Sequence, residues 1–271
     1  MTRAAVLGGG RVGSAIARDL AVDDEYEVTV FDRSPAALER LADAAPVATQ
    51  QADLSDPARV AAAVADHEIV VGAVPGFMGY RTVEACLAAG KPVVDISFFP
   101  EDALTLDTLA RQNDVVCLVD FGVAPGCSNL LFGHAAASLS RLDDFTCYVG
   151  GLPAVRSWPW EYRAPFSPVD VLEEYTRPAR FIRAGEVVTR DALAEPEQVE
   201  MPGVGTLEAF VTDGLRTLLR AEGVRSMVEK TCRYPGHRDR ILTLRQSGFL
   251  DREPVELPGG QRVSPLELTA Q

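Results

Sequence analysis

Residues 3–32 follow a fixed order of segments that few folds can accommodate. Residues 3–7 form a short apolar run that predicts a buried strand, and residues 8–13 form a glycine-rich turn. An alanine-rich helical segment comes next, and residues 27–31 predict a second strand that ends at Asp32. Because such a unit joins two parallel strands through a helix, it predicts a parallel sheet covered by helices.

The turn places glycines at positions 8, 10 and 13, and each has its own physical reason. Gly8 permits a tight turn, Gly10 lets the backbone approach a pyrophosphate, and Gly13 lets the helix pack closely on the strand. Arg11 and Val12 complete the turn, where the free N–H groups of the helix N-terminus can bind phosphate oxygens. The turn therefore predicts a dinucleotide-binding site.

Side chains after the second and third strands bear on which dinucleotide binds. Asp32 can accept hydrogen bonds from both ribose hydroxyls, which favours NAD over NADP because a 2′-phosphate would meet a like charge. Arg33 keeps NADP open, since its guanidinium can bind a 2′-phosphate or stack on adenine. Asp53 and Leu54 are placed to line the adenine pocket; the alternative for Asp53 is an ordinary loop aspartate.

Two further strand ends reach the edge of the predicted sheet where ligands bind. Ala73, Val74 and Pro75 end the fourth strand, where the nicotinamide ribose would pass, although Pro75 also suits a loop terminator. Asp95 ends the fifth strand at the same edge. It is a candidate for the substrate side of the site, with a structural turn-capping aspartate as the alternative.

Short strands and alanine-rich helices alternate as far as residue 122, as in a doubly wound α/β sheet of the Rossmann type. We expect an NAD(P)-binding domain at 1–122 and a linking helix at 123–140. An α+β substrate and dimerisation domain is expected at 141–271.

Local signals predict several element boundaries in the first domain. Ser34 and Pro35 favour a helix start, and a helix over 79–89 is expected to stop at Gly90 in the left-handed conformation. Strands are expected at 68–74 and 115–119.

Composition excludes several classes of function. The net charge of −13 disfavours nucleic acid or anionic membrane as a partner, and no apolar run is long enough to span a bilayer. Five cysteines without a CxxC pair predict neither a disulfide framework nor a metal site, and we expect a cytoplasmic protein. The acidic, lysine-poor composition fits either adaptation to high salt or GC-rich coding.

The second domain concentrates polar side chains in two short segments. His237 shares a turn with Arg233, and Tyr162 and Arg163 follow two tryptophans. Either group could face a substrate or form a core edge. We expect Cys127 to be a small buried residue and the mid-helix His134 to be packed, and no Ser/His/Asp elbow, P-loop or metal-spaced His cluster is present. The segments that carry a family resemblance are Asp120–Leu131, Tyr148–Pro153, Leu207–Gly214 and Thr231–His237.

Together these segments resemble the saccharopine dehydrogenase-like family, most closely its L-lysine 6-dehydrogenase branch. The resemblance implies a Rossmann domain, an α+β dimerisation domain and oxidation of a carbon–nitrogen bond in an amine or amino acid. It also implies polar and proton-transfer roles, for which we take Asp95, Tyr162 and His237, while Arg163 or Arg233 would bind the substrate carboxylate.

The chain departs from this family in length, because its members usually continue well beyond the position equivalent to Gln271. We therefore expect an incomplete second domain with an exposed apolar patch along its sheet. Two alternatives to an oxidoreductase remain open: a family member that binds NAD(H) without turnover, and an NAD-recycling enzyme of the homospermidine synthase type.

Overall fold

The computed structural model describes residues 1–271. They form two compact units, Met1–Cys127 and Ser128–Gln271, each with its own sheet and apolar core. The division lies inside the region predicted as the linking helix, 123–140. In neither unit does a helix combine the length and apolar character that crossing a bilayer requires.

A parallel sheet forms the centre of the first unit. Its strands are β1 (Thr2–Leu7), β2 (Tyr26–Asp32), β3 (Ala48–Gln51), β4 (Ile69–Gly72), β5 (Val93–Asp95) and β6 (Cys117–Leu118). They are arranged in the order β3-β2-β1-β4-β5-β6, which is the order of the doubly wound dinucleotide-binding fold. The predicted fold class is confirmed, and the carboxyl ends of β1 and β4 meet at the point where the strand order reverses.

Helices flank this sheet, and their starts follow local capping signals. They are α1 (Arg11–Leu20), α2 (Pro35–Ala42), α3 (Pro57–Val64), α4 (Gly76–Ala88) and α5 (Asp107–Gln112). The Ser34 hydroxyl accepts a hydrogen bond from the Ala37 N–H at 3.3 Å, which confirms the predicted start of α2. Gly90 has a φ of +68°, as expected for the residue that ends α4.

Three element boundaries differ from the sequence predictions. Helix α4 begins three residues early because Pro75 precedes it with a φ of −55° and its carbonyl accepts from the Met78 N–H at 2.9 Å. Strand β4 ends at Gly72 rather than at residue 74. Strand β6 is shorter than predicted because the Val115 N–H already donates to the Ala110 carbonyl at 3.1 Å.

The second unit is built on a mixed sheet. Its strands are β7 (Asp144–Val149), β8 (Ala179–Arg183), β9 (Glu186–Arg190), β10 (Glu197–Met201), β11 (Gly205–Val211) and β12 (Ser226–Arg233). Strand β12 pairs antiparallel with β11 and β8 and parallel with β7. A separate two-stranded ribbon joins β13 (Val255–Glu256) to β14 (Arg262–Val263). The main sheet contains five strand pairings in all, and four of them are antiparallel, in agreement with the predicted α+β character.

The helices of the second unit differ in how many of their apolar side chains are buried. They are α6 (Cys127–Ser138, whose first residue closes the first unit), α7 (Pro168–Glu174), α8 (His237–Gln246) and α9 (Pro265–Thr269). Helices α7, α8 and α9 contribute to one apolar cluster around Tyr175 and Phe210. Helix α6 leaves Leu130 and Leu131 more than 60% exposed, whereas on the sheet the exposed large apolar side chains are Tyr148 and Val187.

Candidate functional site

The glycine turn between β1 and α1 has no room for side chains at two of its positions. Gly8 has a φ of +110°, and its N–H donates to the Phe31 carbonyl at 2.8 Å. A Cβ placed on Gly8 would overlap the Ala73 carbonyl oxygen, and one on Gly13 would overlap the Gly8 carbonyl oxygen. Glycine is therefore required at both positions by the close approach of β1, β4 and α1.

Gly10 is a different case, because a Cβ there would meet nothing within 4 Å. It is followed by Arg11, Val12 and Gly13 in the first turn of α1, and Gly10 itself has no side chain with which to cap that turn. The N–H groups of an uncapped helix N-terminus are donors for an anion. The open space at Gly10 beside these donors fits the pyrophosphate of a dinucleotide.

Asp32 is held by backbone groups on both sides. Its Oδ2 accepts from the Gly9 N–H at 2.7 Å and its Oδ1 accepts from the Ser34 N–H at 2.8 Å. Sequence reasoning missed Gly9 and Ser34, whose contribution is a backbone N–H that no residue type signals. An ionised carboxylate has about four lone-pair sites, so Asp32 retains acceptors for ribose hydroxyls.

Three further residues were predicted to contact the cofactor, and they differ in exposure. Arg33 is exposed and its guanidinium makes no ion pair. Asp53 is exposed as well, and its carboxylate accepts from the N–H and hydroxyl of Ser55 at 3.1 and 2.7 Å, which lowers its pKa. Leu54 is buried in the apolar core of the first unit.

The segment after β4 lies directly against the glycine turn. The Ala73 N–H donates to the Leu7 carbonyl at 2.9 Å, and the Ala73 carbonyl faces Gly8. Val74 is buried in the core, and Pro75 is exposed where α4 begins. These residues therefore stand beside the turn, as a nicotinamide-ribose contact would require.

Asp95 is fully buried at the carboxyl end of β5. Its Oδ1 accepts from the Ser97 N–H at 2.9 Å and from the Ser97 hydroxyl. A Cβ on Gly72 would overlap Asp95 Oδ2, so the carboxylate packs closely on β4. Burial first, and the charge of Asp95 second, raise the pKa of the Cys86 thiol to about 12.

In the second unit, five side chains form a group that we call the Tyr175 cluster: Tyr162, Glu174, Tyr175, Arg233 and His237. The Tyr175 hydroxyl lies 2.9 Å from Arg233 Nε and 3.1 Å from His237 Nε2. The other ring nitrogen of His237, Nδ1, lies 2.8 Å from the Trp160 carbonyl oxygen. Each of Tyr175, Arg233 and His237 is buried.

The hydrogen bonds of this cluster run in one direction. A carbonyl only accepts, so His237 Nδ1 carries the proton and donates to Trp160. Burial lowers the pKa of His237 to about 4, which keeps the ring neutral and makes Nε2 an acceptor for the Tyr175 O–H. The Tyr175 oxygen in turn accepts from Arg233 Nε.

Every guanidinium nitrogen of Arg233 makes a hydrogen bond. Besides Nε, the two terminal nitrogens donate to the Cys232 carbonyl at 3.0 Å and to Glu174 Oε2 at 3.3 Å. Its guanidinium carbon lies 4.3 Å from the centre of the Tyr162 ring, a cation–π distance. The Tyr162 hydroxyl, by contrast, makes no hydrogen bond within the chain, and burial raises its pKa.

Three of the five residues predicted for the substrate side are thus brought together: Tyr162, Arg233 and His237. Arg163 is exposed and makes no ion pair, and Asp95 belongs to the first unit. Sequence reasoning missed Tyr175, which stands 58 positions from Arg233 and carries no local signal of its role. No group of His, Cys, Asp and Glu side chains is arranged to hold a metal ion.

Two sequence predictions at α6 are wrong. Cys127 is exposed rather than buried, and His134 is exposed rather than packed. The helix contacts its unit through Asn129, which donates to the Thr217 hydroxyl at 3.1 Å, and through Phe132, whose ring centre lies 5.3 Å from that of Phe145. The opposite faces of the helix are left uncovered.

The low pKa of His237 predicts a pH-dependent stability. The unfolded state binds a proton near pH 6.5 and the folded state only near pH 4, so stability is complete above pH 6.5 and falls as the pH is lowered towards 4. We expect a loss of about 3 kcal/mol across this window. Urea unfolding at several pH values measures it, with His237→Gln as the control that cannot titrate. Equal pH dependence in both proteins would contradict the assignment.

Comparison with known proteins places these features in a family. The sheet order and glycine turn define a pyridine-nucleotide-binding domain, which a second sheet domain follows. Residues 4–118 match the family model described as the saccharopine dehydrogenase NADP binding domain, and residues 122–271 match the saccharopine dehydrogenase C-terminal domain. The chain belongs to the saccharopine dehydrogenase family of NAD(P)-dependent oxidoreductases, which confirms the resemblance inferred from the sequence.

Individual relatives agree with this placement. The NADP(+), L-glutamate-forming saccharopine dehydrogenase of Schizosaccharomyces pombe is 24% identical over 93% of this chain and 59% of its own length. The mitochondrial alpha-aminoadipic semialdehyde synthase of Bos taurus is 22% identical over 92% of this chain and 28% of its own. The apo saccharopine dehydrogenase (L-Glu forming) structure from Saccharomyces cerevisiae superposes with a TM-score of 0.76 at 20% identity, covering 94% of this chain and 60% of that one. The chain thus spans less than two thirds of these relatives, and its placement in the L-lysine 6-dehydrogenase branch stays a prediction.

Proposed function

We propose that this chain acts as an NAD(P)-dependent oxidoreductase on the carbon–nitrogen bond of an amino acid, with a lysine- or saccharopine-like amine as substrate. The observation that carries the proposal is the open space at Gly10 where α1 begins, flanked by Asp32. Membership in a family of NAD(P)-dependent oxidoreductases supports the proposed reaction class. Relatives named saccharopine dehydrogenase support the choice of substrate.

The chemistry requires three functions from the protein. A hydride leaves the carbon that bears the amine, a proton leaves the nitrogen, and water hydrolyses the imine to a carbonyl compound and a free amine. The bound nucleotide would accept the hydride. The protein must bind the substrate carboxylate and accept protons, and it must keep the amine neutral.

Among the predicted residues, the geometry supports different roles for different side chains. Arg163 is exposed without an ion pair, so it is the better candidate for a substrate carboxylate than Arg233, whose terminal nitrogens already donate. Tyr162 has a free hydroxyl for proton transfer. His237, with both ring nitrogens bonded, is proposed as a positioning residue that holds this region, and Asp95 as a proton acceptor in the first unit.

We further propose that NADP binds more tightly than NAD, although Asp32 by itself favours NAD. Two backbone N–H groups already engage the Asp32 carboxylate, whereas the adjacent Arg33 guanidinium makes no ion pair and can bind a 2′-phosphate. Arg33→Ala is expected to weaken NADP+ binding about tenfold and to leave NAD+ binding unchanged. Calorimetry with both nucleotides tests this; equal losses for the two would contradict a 2′-phosphate contact.

The turnover test is a screen of NADP+ and NAD+ reduction with saccharopine, lysine and diamines, followed by the absorbance of the reduced nicotinamide. If the unsubstituted protein reduces a nucleotide and both Tyr162→Phe and Arg163→Ala do so more slowly, the result would support the proposed roles. A second candidate is nucleotide binding without turnover, which is favoured by the hydrogen bonds that each side-chain nitrogen of Arg233 and His237 already makes within the chain. It predicts calorimetric binding with no reduction by any amine. An expected homodimer through the second unit is tested by sedimentation.

A further inference from the structure

The second unit contains a cavity of about 220 Å³ beside the Tyr175 cluster, and Tyr162 and His237 form part of its walls. Helices α7, α8 and α9 and the segment 160–164 form its walls. Aromatic and aliphatic side chains dominate them, among them Trp160, Tyr175, Ile241 and Leu244. Apolar cavities of about 150 Å³ bind benzene in other proteins, so this space suits a molecule with one or two rings.

The walls carry no charged group. No Asp, Glu, Lys or Arg lines the cavity, and its histidine, His237, is neutral because burial lowers its pKa to about 4. Arg233 does not line the cavity; its guanidinium carbon lies 4.3 Å from the centre of the Tyr162 ring, and the Glu174 carboxylate lies 3.3 Å from one of its nitrogens. A charged ligand would find no countercharge on these walls.

The polar atoms of the walls are few, and most are already bonded. The Tyr175 hydroxyl and both His237 nitrogens belong to the Tyr175 cluster, and the Thr269 hydroxyl donates to the Phe249 carbonyl at 2.9 Å. The Tyr162 hydroxyl and the Trp160 indole N–H make no hydrogen bond within the chain. A ligand with one hydrogen-bonding group therefore matches what the walls leave unsatisfied.

We propose that this cavity binds an uncharged small molecule of one or two rings that carries a single hydroxyl or similar polar group. The site lies wholly in the second unit and does not depend on turnover. Tyr162 lines the cavity and is also the residue proposed for proton transfer, so Tyr162→Phe bears on both proposals. The comparison of charged with uncharged probes and the filling variants test the cavity alone, and nucleotide reduction tests the reaction alone.

Calorimetry with 2-naphthol and 2-naphthoate tests the proposal on the full chain without nucleotide, because the two probes differ in charge at similar size. We expect saturable binding of naphthol with one site and at least tenfold weaker binding of naphthoate. Tyr162→Phe should weaken naphthol binding severalfold, since it removes the free hydroxyl. Equal affinity for the two probes, or no saturable naphthol binding, would overturn the proposal.

A filling variant and its matched control locate the binding. Ala270→Trp places a large ring in the cavity wall, whereas Ala136→Trp adds the same ring to the exposed surface of α6. Naphthol binding should fall at least tenfold in the first and be unchanged in the second. Circular dichroism checks that both fold, and Leu244→Trp, which fills the cavity from α8, replaces Ala270→Trp if that variant does not. Equal effects of wall and surface variants would show non-specific adsorption.

Discussion

Arg233→Ala is expected to lower the free energy of unfolding by about 3 kcal/mol. The substitution removes the hydrogen bonds to Tyr175 and to the Cys232 carbonyl and leaves Glu174 without its cation. It also removes the guanidinium that lies over the Tyr162 ring. Because Arg233 is buried, water cannot replace these contacts without opening the cluster.

Urea unfolding followed by circular dichroism measures this loss, and Arg163→Ala is the matched control. Arg163 is the same residue type in the same unit, but it is exposed and makes no ion pair, so its change in stability should stay within about 0.5 kcal/mol. Steady-state kinetics then distinguishes the substrate-binding role proposed for Arg163 from the structural role of Arg233. Arg163→Ala should raise KM for an amino-acid substrate at unchanged stability, and a large stability loss in Arg163→Ala with none in Arg233→Ala would reverse our assignment.

Gly10→Ala is expected to weaken nucleotide binding at least tenfold, equivalent to about 1.4 kcal/mol, while leaving the unfolding free energy unchanged. The added methyl group meets nothing within 4 Å in the free protein, and the φ of −71° suits alanine. The same methyl group would occupy the space through which a pyrophosphate approaches the backbone. Gly10→Ala should therefore change nucleotide affinity without changing the free energy of unfolding.

Two other glycines give the comparison its controls. Gly13→Ala would force its methyl group against the Gly8 carbonyl, so it should lose nucleotide binding together with about 1–3 kcal/mol of stability. Gly133→Ala lies in α6 with no neighbour within 4 Å, and it should leave nucleotide binding unchanged. Calorimetry and thermal unfolding measure both quantities. Unchanged nucleotide affinity in Gly10→Ala would show that the pyrophosphate does not approach at this turn.

Local signals were sufficient for most of the first unit. The order of strands and helices follows from apolar runs separated by capping residues, and Ser34 and Gly90 act at short range as predicted. The observed element boundaries differ from the predicted ones where another contact uses a backbone group of the predicted strand. Val115 is an example, because its N–H donates to the Ala110 carbonyl. Parallel strands joined by helices leave few alternative topologies, so sequence reasoning reached the fold.

Exposure and side-chain partners were less accessible to sequence reasoning. Cys127 and His134 are exposed because α6 contacts its unit along one narrow face, and its apolar composition gives no sign of that. The partnership of Tyr175 with Arg233 and His237 depends on helices α7 and α8 and strand β12 coming together from distant parts of the chain. No spacing rule connects residues that far apart.

The sequence by itself determined the dinucleotide fold, its glycine turn and its likeness to the saccharopine dehydrogenase family, because these depend on short motifs and on the order of elements. Only the tertiary structure decided that Asp32 is held by Gly9 and Ser34, and that Arg33 and Arg163 make no ion pair. It also decided that Arg233 and His237 are buried and that each of their side-chain nitrogens makes a hydrogen bond. The physical reason is that hydrogen-bond partners and burial are set by what packs around a side chain, and the residue type alone does not specify that environment.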